Sequence, residues 1–244
     1  MIIPTHKPLG RSSHSLAQEI GKKYSEKATH TGTLDPMAEG VLVVLTGEDR
    51  FNKAKFSNWQ KTYLFQILVG IETDTHDLLG IVKNIDHKKI NQQVLKKNLK
   101  NFIGQQKQLV PKFSAQRVNG LSGFDLAKAN KDFPLQKNDI EIFSLKIIKQ
   151  EIINNIKLIN YIQKNIALVT GDFRQLDILK TWQASLKNNQ VFQLITLEAI
   201  TSKRTYVRSL VRDLAKKLKL PLTTYSIIRT KNGPFELKNC KNLS

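Results

Sequence analysis

The chain has 244 residues, 40% of them hydrophobic, which is enough for one sizeable core or two small ones. Its single cysteine, Cys240, excludes a disulfide framework and fits a reducing, cytoplasmic setting. No apolar run reaches the length of a membrane span, and Met1-Ile2-Ile3-Pro4 is too soon broken to be a secretory signal. Lys and Arg number 39 against 20 Asp and Glu, a net charge of +19 that points to a polyanionic partner, nucleic acid first, although lysines travelling with many Asn and Ile are also what an AT-rich genome produces.

Taken in order, Ser12-Ser13 cap a predicted short helix with Leu16, Ala17, Ile20 and Tyr24 at helical spacing. It leads into His30-Thr31-Gly32-Thr33-Leu34-Asp35-Pro36-Met37-Ala38-Glu39-Gly40, a tight loop ahead of the apolar strand 41–46. Asp35-Pro36 is by itself the pattern of a helix N-cap followed by proline. Residues 61–69 alternate as a strand with Tyr63, Phe65, Ile67 and Val69 on one face. The polar loop 70–80, holding Asp77, lacks the spacing of a calcium loop and reads as a turn of side-chain-to-backbone hydrogen bonds. A helix is expected across 91–103. Residues 108–130 read as a loop in which cations such as Arg117 interleave with Phe113 and Phe124. Strands are predicted at 140–148 and 191–200, with a helix between them through Phe173, Leu176, Leu179, Trp182 and Leu186. In 201–214 the stripe Val207, Leu210, Val211, Leu214 leaves Arg208 and Arg212 one turn apart on another face, and a solvated basic face is the expectation for Arg212.

The five histidines show no metal-ligand pairing, and neither a phosphate-cradling loop nor a dinucleotide fingerprint is present, so no metal and no cofactor is predicted. What remains is a basic chain with a carboxylate in a Gly/Thr loop, a tyrosine on a strand and an arginine at the start of a helix.

Lys7-Pro8-Leu9-Gly10-Arg11-Ser12-Ser13, His30 to Gly40, Lys61-Thr62-Tyr63, Gly70 to Gly80, Thr205-Tyr206-Val207-Arg208 and Arg229-Thr230 with Gly233-Pro234-Phe235 together resemble the TruB family of tRNA pseudouridine synthases. The resemblance implies an α+β fold on a mixed, largely antiparallel central sheet with flanking helices and a thumb-like RNA-binding loop. It implies isomerisation of the T-loop uridine of tRNA, position 55, to pseudouridine, by a monomer of one catalytic domain spanning 1–244 with tRNA as partner. By matching positions, Asp35 is the nucleophile, attacking either the uracil ring or ribose C1′, while Tyr63 receives the flipped base and Arg208 aims the carboxylate. His30 would fill the vacated stack, Tyr206 and Ile227 would wall the uracil, and Arg117 and Asp77 complete the substrate-binding set. The chain departs from the pattern at His6 (usually Asp), Thr29 and Arg204 (usually Gly), Phe113 and Phe124 (usually Tyr) and Arg117 (usually Lys). It also carries an insertion near 151–190 and stops at Ser244, with no expected C-terminal PUA-type module. The alternatives are a non-catalytic tRNA-binding folding factor and a generic basic RNA-binding domain.

Overall fold

The computed structural model describes residues 1–118, 120–186 and 189–241, so Ser244, where the sequence stops, lies outside the described residues. The N-terminal third runs β1 (Ile2–Lys7), α1 (Ser13–Lys23), β2 (Ala28–His30), β3 (Ala38–Thr46), a 3-10 turn Gly47–Asn52, α2 (Lys53–Ser57) and β4 (Lys61–Val69). Then come β5 (Ile71–Thr73), β6 (Val82–Ile85), α3 (Gln92–Lys100), β7 (Gly104–Leu109), β8 (Arg117–Val118), β9 (Leu121–Ser122) and α4 (Gly123–Lys128). The chain continues through β10 (Lys137–Asn154), α5 (Asn155–Ala167), α6 (Gln175–Ser185), β11 (Val191–Thr201), α7 (Val207–Leu218), β12 (Leu222–Asn232) and β13 (Phe235–Glu236).

The spine is a mixed sheet in the order β1-β3-β12-β4-β11-β10-β7. Its pairs are antiparallel except β3 with β12, whose parallel register sets Ala38 against Ile227. Because β4 alternates, one face sends Tyr63, Phe65, Ile67 and Val69 into a core closed by Leu95 and Leu99 of α3 and by Val207, Leu210, Val211 and Leu214 of α7. Leu68 points the other way, into a second core with Leu158, Ile162 and Ile166 of α5 and Ile178 and Trp182 of α6. Each fully buried aliphatic side chain contributes about 1.5–3 kcal/mol of transfer free energy, so these two layers fix the register of the sheet that carries the cleft.

Helix α5 was not anticipated in the 151–190 stretch. Asn154 caps it by accepting from Lys157 N at 2.9 Å, and Leu158, Ile162 and Ile166 form its buried stripe. The preceding strand also runs longer than expected, since β10 stays paired with β11 as far as Asn154 opposite Val191.

Gly40 takes φ +116, and a Cβ there would lie 2.3 Å from Arg229 O, so only glycine permits the close approach of β3 to β12. Gly40→Ala is therefore expected to cost more than about 1 kcal/mol of stability, read as a lowered urea midpoint at unchanged m-value.

Candidate active site

Two adjacent serines divide the work of seating the Asp35 loop. Ser12 Oγ caps α1, accepting from His14 N and Ser15 N at 3.2 and 3.3 Å. Ser13 Oγ instead donates to Leu34 O (3.0 Å) and accepts from Leu34 N (2.9 Å), fastening the residue before Asp35. Gly10 N donates to Pro36 O at 2.8 Å, and the buried Arg229 donates to Gly32 O at 3.0 Å and Val41 O at 2.7 Å. The N-cap expectation for Asp35 is not met: Ala38 N bonds Asp35 O at 3.0 Å and the chain turns straight into β3. The carboxylate is thus left available, with its side chain 23% exposed.

Beneath it lies Arg208, 3% exposed, in the first turn of α7. Its Nε donates to Asp35 Oδ2 at 2.8 Å, with Asp77 Oδ2 at 3.4 Å, while Nη1 donates to Thr75 O (3.2 Å) and Nη2 to Phe113 O (3.0 Å). Burial opposes the charge on Arg208, but the carboxylates of Asp35 and Asp77 outweigh it and hold the guanidinium protonated. Burial pushes the Asp77 carboxyl up, against the pull of Arg208 and of the hydrogen bonds it accepts from Thr75 Oγ1 (2.7 Å) and Leu79 N (2.9 Å). The turn reading of 70–80 therefore holds alongside a site contact. Arg212 is not on a solvated face. It is 7% exposed and donates to Leu109 O at 2.9 Å, because α7 presses its second arginine against the end of β7 as it presses the first against the segment that follows. Their i, i+4 spacing was the available signal, and it marks a shared buried face.

Asp35 opens into a cleft of about 760 Å³ lined also by Tyr63, Tyr206 and Ile227. Strand register sets this floor, with Tyr63 opposite Arg229 across one edge of β4 and Ile227 opposite Ala38. The Gln108 side chain grips both backbone groups of Tyr206, at 2.8 and 3.1 Å, a contact that sequence reasoning missed. Burial, then Asp35, raises the Tyr206 phenol, so it stays protonated. Phe51, Lys53, Lys203 and Arg204 supply an aromatic and cationic rim. Arg204 stands at φ +63, a left-handed conformation natural to the glycine that the motif usually has there. His30 ends β2 one residue before the cleft-lining Thr31, with Nδ1 buried and without a partner among the described residues. Arg117 is exposed on the β8–β9 hairpin, and from its segment Ala115 reaches the cleft. Phe113 is buried against Phe124, their ring centroids 6.0 Å apart, rather than displayed for stacking. Among the described residues no group of three or more His, Cys, Asp or Glu side chains is arranged to hold a metal ion, and no helix is long and apolar enough to cross a membrane.

Residues 21–163 match the family model described as TruB family pseudouridylate synthase, N-terminal domain. The chain belongs to the TruB family. Its similarity to tRNA pseudouridine synthase B of Caldicellulosiruptor saccharolyticus is 31% identity over 97% of this chain and 69% of that protein. For tRNA pseudouridine synthase B of Mycoplasma mobile the figures are 32%, 98% and 70%. The fold is similar to that in the crystal structure of a Cbf5-Nop10-Gar1 complex, with a TM-score of 0.62 at 18% identity over 99% of this chain; the chain spans 52% of the length of that one. As a TruB family member the chain is an isomerase by class.

Arg208→Met would leave Asp35 and Asp77 without their countercharge, an expected loss of about 3–5 kcal/mol in chemical denaturation. Adding Asp77→Asn should recover part of it. Burial first, then nearby cations, pushes both His30 and His76 from 6.5 down to about 4. Between those values the unfolded chain binds protons that the folded chain does not, so stability is expected to fall as pH drops from 6.5 to 4. His30→Asn and His76→Asn should each flatten that slope in urea titrations run across the window.

Proposed function

We propose that this chain binds the T-arm of tRNA as a cytoplasmic monomer and isomerises the T-loop uridine, position 55, to pseudouridine. The observation that carries the reading is the Arg208–Asp35 ion pair at 2.8 Å, opening into a cleft with Tyr63 and a cationic rim. A uridine inside a folded loop is out of reach, so the base must leave its stack, and a flat side chain must receive it. Tyr63 does so, with Ile227 and Tyr206 walling the ring. His30, neutral at pH 7 because burial pushes it to about 4, fills the vacated space without bringing charge into the stack.

The reaction breaks the N1–C1′ bond, rotates the freed uracil and joins C5 to C1′. N1 ends protonated and the hydrogen on C5 leaves as a proton. Asp35 acts as the nucleophile, at uracil C6 or at ribose C1′, and departs when the product forms. Arg208 fixes the carboxylate's direction throughout and Asp77 secures Arg208 from behind. Arg117 and the rim cations contact phosphates, which position the RNA without reading its sequence.

Tritium release from tRNA labelled at uridine C5 tests this reading. Wild-type protein should release it, and Asp35→Asn should be slower by at least about three orders of magnitude. The same variant should still bind tRNA, with an affinity that falls steeply as salt rises. Release by Asp35→Asn at the wild-type rate, or none by the wild type, would sink the reading.

A further inference from the structure

Through Arg174, the 151–190 insertion reaches the two segments that hold Arg208. Arg174, the residue before α6, sends Nη1 to Asp74 Oδ2 at 2.8 Å, both side chains being mostly buried, and lays its guanidinium 4.5 Å from the centre of the Phe113 ring. Those two contacts fall beside the two carbonyls that hold Arg208. Asp74 precedes Thr75, whose O accepts from Arg208 Nη1, and Phe113 O itself accepts from Arg208 Nη2. The rest of the insertion braces the same two segments. Trp182 Nε1 donates to Gly80 O at 3.2 Å, and Thr181 Oγ1 accepts from Val82 N at 3.3 Å. On the other side, Phe173 packs on Phe124 with ring centroids 4.6 Å apart, and Asp172 pairs with Lys128.

Arg174 keeps this position against local cost. Its backbone is left-handed at φ +64, and its Nε is buried without a partner among the described residues. A surface staple would relax out of both.

We propose that Arg174 is a positioning residue, which sets the Thr75 and Phe113 carbonyls and through them the direction of Arg208. The proposal rests on the pseudouridine synthase reading for its kinetic consequence, and on geometry alone for its effect on Arg208. The insertion thereby does more than fill out the second core. It ties the 70–80 loop to the thumb segment at the point where both meet the arginine behind Asp35.

Three variants test it. Arg174→Met keeps the stem over Phe113 and removes the ion pair, Asp74→Asn removes the partner, and Arg174→Lys keeps a charge directed at Asp74. In tritium release at saturating tRNA, Arg174→Met and Asp74→Asn are expected to lower kcat roughly 10- to 100-fold with little change in KM. Arg174→Lys should restore much of the rate, and the double variant should be no slower than either single one. Wild-type kcat in folded Asp74→Asn, or a loss confined to KM, overturns the proposal. A readout independent of catalysis is the Arg208 Nε–H signal in ¹⁵N spectra. Its exchange with water should quicken at least about 10-fold in Arg174→Met or, should that variant not fold, in Asp74→Asn. Unchanged exchange overturns the proposal even where wild-type protein is active. Altered exchange with an inactive wild type upholds the positioning and sinks the function reading instead.

Discussion

A buried guanidinium governs this structure. Arg208 is almost wholly removed from water, and a charge in that position persists only if its hydrogens and its field are answered. Asp35 and Asp77 answer the charge, and the carbonyls of Thr75 and Phe113 take two of the remaining donors. Four segments far apart in the chain must therefore arrive together, and Arg208 loses a partner if any of the other three is displaced. The site is in this sense a condition of the packed fold, because the same contacts that aim a carboxylate into the cleft also neutralise the arginine beneath it.

The sheet makes that arrival possible. Parallel pairing of β3 with β12 brings Ala38 beside Ile227, and the antiparallel partner β4 sets Tyr63 opposite Arg229. Ser13 and Arg229 then stitch the loop between β2 and β3 from both sides, so that Asp35 projects from a backbone with little freedom. Helix α7 delivers Arg208 beneath Asp35, its apolar stripe seated on the core formed by β4 and α3. Strands, a helix and a stitched loop thus hold Tyr63, Arg208 and Asp35 in place.

Much of this was legible in the sequence, for identifiable reasons. Alternation over 61–69 set the facing of Tyr63, and the stripe Val207, Leu210, Val211, Leu214 set the facing of α7, because both periods are long enough to outweigh local propensity. The motif blocks carried the family, and the match over residues 21–163 agrees with them. Arg212 went astray because a cation on a helix reads as solvated until a neighbouring carbonyl is seen, and that carbonyl, Leu109 O, is about a hundred residues away. The N-cap possibility for Asp35 failed for a similar reason. Pairing of β3 with β1 and β12 outweighs the local preference of Asp-Pro for a helix start. Gln108 and Arg174 gave no local signal at all, since each acts through partners distant in sequence.

The central claim is that the Asp35–Arg208 pair makes this cleft a uridine-isomerising site. Nucleotide-resolution mapping of pseudouridine in full-length tRNA incubated with the protein tests it most directly. The account predicts one modified position, the T-loop uridine, with wild-type protein, and none with Arg208→Met at a temperature where that variant remains folded. Modification elsewhere by the wild type, or the same mark laid down at the same rate by Arg208→Met, would contradict it.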